Sequence, residues 1–259
     1  MADLLATAPD VAREVLACLD LTSLNEADTA ADIEQLCHRA QTPFGPVAAV
    51  CVWPRFVTQA RALLPRAIRV AAVANFPDGA LDLPRALAEV AAIAQAGGDE
   101  VDVVLPYRAL IAGKRSAVSE FLSEVRFATR PLTLKIIIES GELKDPELIA
   151  QATRMALAAG ADFVKTSTGK TAVSATPEAA RVMLREIAAS GMVNAGFKAS
   201  GGIRTVADAA VYLELTRAAL GSVTPQRLRF GASGLLTDIE AVLGGVDAQP
   251  AVSAEPSSY

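Results

Sequence analysis

Short apolar segments rich in Val, Ala and Ile alternate along the chain with longer stretches whose apolar residues recur every three or four positions; the unit repeats about every 30 residues. Eight of the short segments read as strands: residues 16–21, 47–52, 69–74, 100–105, 134–139, 162–166, 195–199 and 228–232. A loop of Gly, Pro, Ser and Thr and then an Ala/Leu/Arg/Glu run of helical period fill the gaps. Residues 86–96 form one such run, stopped by Gly97 and Gly98. Asp145-Pro146-Glu147 and Thr176-Pro177-Glu178 each combine a capping side chain with proline in the first helical turn. Eight β/α units in about 250 residues predict a (β/α)8 TIM barrel, a single domain over residues 1–243. A doubly wound sheet would carry Gly-x-Gly-x-x-Gly after its first strand, and the chain has no such sequence. The residues up to Asp10 read as a lead-in without an assigned element. From Gly244 the chain turns polar and Pro-containing, and residues 244–259 are expected to form a mobile C-terminal tail.

Composition narrows the function. With 259 residues, 52% of them hydrophobic, the chain can bury a large core. Its net charge is −5 and it lacks a basic cluster, which disfavours nucleic acid and anionic membranes as partners and favours small molecules. Met1-Ala-Asp-Leu-Leu puts an acid where a signal peptide needs bases, and no apolar run approaches the roughly 20 residues of a membrane span, so a cytoplasmic location is expected. Cys18, Cys37 and Cys51 are too few for a disulfide framework, and His38 alone cannot supply an imidazole-rich ligand set. Reduced thiols, no metal and no cofactor follow as expectations. A homo-oligomer is left open.

Three charged residues interrupt the apolar strands, each read as ending its segment: Lys165, Lys198 and Asp102. Strand alternation puts Phe163 with Lys165, Gly196 with Lys198, and Asp102 with Val104 on shared faces. A charge between strands and helices would lack both water and a partner, so these faces are assigned to the barrel interior, near its mouth. An ordinary lysine is neutral in only about one molecule per thousand near pH 7.4. Burial and a neighbouring ammonium both favour the neutral amine, which can attack a carbonyl. Taken singly, each residue reads as an ordinary surface charge; together they point to Schiff-base chemistry. Gly201 and Gly202 after the seventh strand, and Gly231, Ser233 and Gly234 around the eighth, occupy the loops that bind phosphate in such barrels, with Arg204 and Lys170 adding charge.

Lys165 in Gly160-Ala-Asp-Phe-Val-Lys-Thr-Ser-Thr-Gly-Lys170, Lys198 in Ala195-Gly-Phe-Lys-Ala-Ser-Gly-Gly-Ile-Arg204, Asp102 in Asp99-Glu-Val-Asp-Val-Val-Leu-Pro106 and the Arg229-Phe-Gly-Ala-Ser233 stretch together resemble the deoxyribose-phosphate aldolase family. The likeness runs from Asp20-Leu-Thr-Ser-Leu-Asn25 through Asn75-Phe-Pro and Glu142-Leu-Lys-Asp145 to the final tyrosine. It implies a class I aldolase, cofactor-free, that cleaves 2-deoxy-D-ribose 5-phosphate reversibly to D-glyceraldehyde 3-phosphate and acetaldehyde. Lys165 would be the Schiff-base lysine, Lys198 and Asp102 the proton-transfer residues, and Tyr259 a proton donor folding back over the mouth. Thr168 and Gly169 join the phosphate-binding set. Asp20, with Thr22, is expected either to bind substrate hydroxyls or to cap its strand. The family often has two hydroxyl residues where this chain has Ser233-Gly234. A different phosphosugar for the same chemistry, including a transaldolase, and a non-catalytic sugar-phosphate-binding barrel are the alternatives. Lys135 and Glu139 read as a structural ion pair in the lumen, Cys51 as a small buried hydrophobe, His38 as solvent-facing, and Trp53 and Phe76 as rim packing.

Overall fold

A computed structural model describes residues 7–245. Eight parallel strands close into a barrel: β1 (Leu19–Thr22), β2 (Ala49–Val52), β3 (Arg69–Ala74), β4 (Glu100–Val104), β5 (Thr133–Ile137), β6 (Phe163–Lys165), β7 (Gly196–Ser200) and β8 (Leu228–Ala232). Each pairs with its sequence neighbour, and β1 pairs with β8 to complete the ring. This is the predicted TIM barrel, with helices between the strands. Helix starts are encoded locally. Thr176 accepts a hydrogen bond from the Ala179 amide, Asp145 from the Glu147 amide, and Asp82 from the Arg85 amide, each with proline in the following turn.

Alternation along the strands divides two interiors. Val101, Val103, Leu134, Ile136, Val164, Phe197, Leu228 and Phe230 are fully buried in the layer facing the helices. The opposite face lines the lumen, where TIM barrels ordinarily pack branched apolar residues. Here Asp20, Glu100, Asp102, Lys135, Lys165, Lys198 and Arg229 fill it, all buried. Space comes from small residues sharing that face: Ala49 and Cys51 on β2, Ala71 on β3, Gly196 on β7 and Gly231 on β8. Gly231 is required: a Cβ there would lie 2.5 Å from Ser200 Oγ and 3.0 Å from Lys198 Cε.

Several boundaries differ from the sequence reading. The first strand starts at Leu19, not 16, because Leu16 belongs to the helix Ala8–Ala17, which also takes up residues 8–10 of the segment left unassigned. The second starts at Ala49. The fifth ends at Ile137, because Glu139 adopts a left-handed backbone, φ 54°. Gly244 ends the last helix, Leu235–Gly244, rather than beginning a tail, and residues 246–259, with Tyr259, lie outside the described residues. No helix among the described residues is long and apolar enough to cross a membrane.

Candidate active site

Asp102 and Lys198 sit mid-strand, not at strand ends, and neither they nor Lys165 meets water as a mouth residue would. Expecting a charge to mark a strand end assumes that it needs solvent. Here the charges solvate one another. Asp102 accepts from three lysine amino groups: Lys135 Nζ at 2.7 Å on one oxygen, and Lys198 Nζ at 2.8 Å and Lys165 Nζ at 3.0 Å on the other. Lys198 also donates to Asp20 at 2.5 Å. Arg229 donates to the other oxygen of Asp20 at 2.6 Å and spans both oxygens of Glu100 at 2.9 and 3.2 Å. Lys135 reaches Glu100 at 2.5 Å and Asp20 at 3.6 Å.

Within this network the cations are unequal. Among the described residues, Lys135 has three carboxylates within ion-pair distance, Lys198 and Arg229 have two each, and Lys165 has Asp102 alone, through an oxygen it shares with Lys198. Burial disfavours the charged form of Lys165; Asp102 opposes that and the Lys198 ammonium adds to it, so its amine is held below the ordinary lysine range. Burial acts on Lys198, Lys135 and Arg229 in the same way, but there the carboxylates outweigh it and all three are raised. Burial also works against charge on Asp102 and Asp20, yet their cationic partners prevail and both carboxyls sit well below the usual range. Cys51, fully buried and in the field of Asp102, Lys198 and Lys165, is raised by burial and stays a thiol. The arrangement sets an amine of lowered proton affinity, Lys165, beside the Lys198 ammonium and the Asp102 carboxylate. Such a set can attack a carbonyl and move protons next to it.

Directly beyond β6, Thr166, Ser167 and Thr168 are buried, and the following loop turns at Gly169, φ 81°. Thr168 donates through both its amide and hydroxyl to Glu139, as does the Thr171 hydroxyl at 3.3 Å. Glu139 therefore pins this loop and makes no ion pair with Lys135, whose partners are Glu100, Asp102 and Asp20; the expected pair is corrected. Gly201, φ 84°, packs against the loop so closely that a Cβ there would lie 2.5 Å from Ser174 Oγ and 3.3 Å from Gly169 Cα. Ser233 and Gly234 are exposed at the start of the helix Leu235–Gly244, which has no side-chain cap, whereas the helix Val206–Leu220 is capped by Thr205 and Asp208. Gly202 and Arg204 are exposed, and Lys170, half-buried, is lowered by burial and faces Glu26 and Asp28. Among the described residues, the buried polar side-chain atoms without a partner include Asn75 Oδ1, Ser140 Oγ and Ser167 Oγ. All three follow the C-terminal ends of strands, the end at which barrel enzymes meet ligands.

Asp20 is placed in the ion network with both oxygens occupied, so the expected contact with substrate hydroxyls is not available to it as it stands. Thr22 donates instead to the Asp20 carbonyl, 2.8 Å away. His38 is exposed, Cys18, Cys37 and Cys51 are free and buried, and the Trp53 and Phe76 rings meet edge to face at 5.5 Å. Glu100 and Arg229 are the residues that sequence reasoning missed. Their signal was present: alternation puts Glu100 on the face of Asp102 and Arg229 on that of Gly231. The barrel floor lies at their level, where the Phe163 ring occupies the space that Gly196 leaves and the Arg229 guanidinium lies 5.4 Å from its centre. Beneath that floor a separate cavity of about 970 Å³ opens at the N-terminal end of the strands, lined by Phe163, Glu100, Arg229, Arg69 and Arg227.

Comparison with known proteins agrees with this geometry. The profile of the DeoC/LacD family aldolase matches residues 14–237. A deoxyribose-phosphate aldolase of Agrobacterium fabrum (strain C58) is 49% identical over 249 residues, spanning 94% of this chain and 96% of its own length. A solved deoxyribose-phosphate aldolase of Aeropyrum pernix, described as tetrameric, superposes with a TM-score of 0.74 at 26% identity, covering 94% of this chain and 95% of its own. A Toxoplasma gondii structure assigned to deoxyribose-phosphate aldolase gives a TM-score of 0.83 at 25% identity, over 93% of this chain and 99% of its own. With a buried lysine network in the lumen and a family match across nearly the whole barrel, the chain belongs to the DeoC/LacD family of aldolases.

Proposed function

We propose that this aldolase cleaves 2-deoxy-D-ribose 5-phosphate to D-glyceraldehyde 3-phosphate and acetaldehyde, and runs the reverse condensation, through an iminium on Lys165. The observation that carries the reading is that Lys165 alone among the buried cations shares its single carboxylate oxygen with another ammonium. Its neutral amine adds to the C1 aldehyde carbon of the open-chain sugar, giving a carbinolamine. Lys198 donates a proton to the departing hydroxyl, water leaves, and the iminium forms; Asp102 holds Lys198 in place and takes part in returning the proton. Lys198, left neutral by that step, takes the C3 hydroxyl proton as the C2–C3 bond breaks. The electron pair moves into the iminium, leaving an enamine on Lys165 and free glyceraldehyde 3-phosphate. Protonation of the enamine carbon, assigned to Tyr259, and hydrolysis release acetaldehyde and restore the lysine.

The phosphate is assigned to Gly169, Lys170, Gly201, Gly202, Arg204, Gly231, Ser233 and Gly234. The uncapped start of the helix Leu235–Gly244 supports this, since first-turn amides are natural anion ligands. Thr168 is assigned to hold the loop through Glu139, and the unpartnered Ser167 hydroxyl to meet a sugar hydroxyl. Action on soluble phosphosugars in the cytoplasm and assembly into a homo-oligomer complete the reading, the latter supported by the tetramer described for the Aeropyrum pernix relative. Borohydride reduction in the presence of acetaldehyde, followed by peptide mapping, tests it. An N-ethyl group on Lys165 is expected, lost in Lys165→Arg because a guanidinium stays protonated. Labelling at Lys198, or none, would overturn the assignment.

A further inference from the structure

The lumen network joins four basic side chains, Lys135, Lys165, Lys198 and Arg229, to three carboxylates, Asp20, Glu100 and Asp102. All seven are buried. A buried set of this kind is favoured when its charges cancel, and four cations against three anions cancel only if one base is neutral. The Arg229 guanidinium cannot give up its proton. It also holds the outer oxygen of Asp20 and both oxygens of Glu100, the two carboxylates farthest along the network from Lys165.

Building on the assignment of Lys165 as nucleophile, we propose that Arg229, at the floor of the barrel and out of contact with Lys165, is a positioning residue that keeps Lys165 uncharged by occupying Asp20 and Glu100. The path runs through shared partners. With Arg229 on one oxygen of Asp20, Lys198 cannot satisfy its charge on Asp20 alone and so leans on Asp102 as well. Lys198 then takes the one carboxylate oxygen that, among the described residues, lies within ion-pair distance of Lys165. Without the Arg229 charge, Lys198 would move toward Asp20, Asp102 would be left to Lys165, and Lys165 would hold its proton. Among the described residues, Cys51 and Glu139 also lie near the nucleophile, and neither forms an ion pair within the network. Cys51 is held as a thiol by burial. Glu139 is buried beyond the end of β5, is raised by burial, and has hydrogen bonds from Thr168 and Thr171 instead of an ion pair.

Charge counting gives opposite signs for two substitutions at the same contact. Arg229→Gln removes a cation, leaving three bases for three acids, so Lys165 becomes easier to protonate. The acid limb of its reaction with acetaldehyde should move up by on the order of one pH unit, about a tenfold slower reaction on the acid side. Glu100→Gln removes an anion and should move the limb down. The double variant removes one of each and should restore the parent limb. The assay is the pH dependence of borohydride trapping of acetaldehyde at Lys165, with thermal unfolding recorded for each protein; Arg229→Lys, which keeps the charge, should keep the limb near its parent position. Loss of stability alone would lower all variants without opposite shifts. Two limbs that move the same way or not at all, in proteins that still trap at Lys165, overturn the inference; failure of the parent to trap at Lys165 overturns the nucleophile assignment beneath it. If Arg229→Gln does not fold, the Glu100→Gln shift and the unshifted Arg229→Lys limb decide the matter.

Discussion

Asp102→Asn is the sharpest perturbation of the lumen, because the carboxylate serves three lysine amino groups at 2.7, 2.8 and 3.0 Å and asparagine keeps its shape without its charge. With Lys165 neutral, the parent network balances three cations against three anions. The variant leaves one cation in excess. Releasing that proton at pH 7 against an ordinary lysine value of about 10.4 costs about 4.6 kcal/mol. Breaking a buried ion pair by removing one partner independently suggests about 3–5 kcal/mol. For a domain of this size each kcal/mol lowers Tm by about 2–4 °C, so thermal denaturation at pH 7 should show a drop of roughly 9–18 °C. The sign of its pH dependence follows. In the variant the displaced lysine has a lower proton affinity folded than unfolded, so the penalty is greatest at low pH and fades as pH rises toward the unfolded value. At pH 9 about 1.9 kcal/mol should remain, narrowing the gap to the parent by about 2.7 kcal/mol. In the proposed reaction kcat should fall at least about a hundredfold through loss of proton transfer. A variant within 2 °C of the parent at pH 7, or a gap that does not narrow by pH 9, would falsify the ionic count.

Three further outcomes follow from the geometry. Gly231→Ala puts a methyl 3.0 Å from Lys198 Cε, and the crowding should cost about 1–3 kcal/mol and lower kcat more than it changes KM; an unchanged kcat would mean that Lys198 accommodates the group freely. Asp20 and Asp102, depressed by their cations despite burial, contribute stability that is fully present above the unfolded carboxyl range and lost as pH falls through their lowered native values. Circular dichroism should therefore show the fold intact at about pH 4, and a cooperative acid transition centred there or higher would contradict the network. Arg204→Ala should raise KM for the phosphorylated sugar more than for free deoxyribose; equal effects would move the phosphate elsewhere.

Much of this architecture was legible in residue order. The eight apolar segments gave the barrel because parallel strands covered by helices are apolar on the face toward the helices, and β3 and β8 kept the bounds read from sequence. Lys165, Lys198 and Asp102 stood out as charges in such segments. How they pair did not. Alternation shows which residues share a face, but contact between Asp20 and Arg229 exists only once β8 closes on β1, across 209 positions. Lys135 was paired with Glu139 because period two continues indefinitely on paper; the left-handed turn at Glu139 ends it. Glu100 and Arg229 were passed over because a charge at a strand's start resembles a solvated edge until the floor is built over it.

That floor governs traffic. Phe163 and Arg229 lie between the lumen network and the lower cavity and form its roof. In the proposed reaction a two-carbon fragment anchored on Lys165 lies deeper than the phosphorylated aldehyde. With the floor closed, the phosphorylated aldehyde would leave first, the water for hydrolysis would come in behind it, and the synthetic direction would load in the reverse sequence. Opening the floor at Phe163 would give the small aldehyde a second door and remove that enforced order.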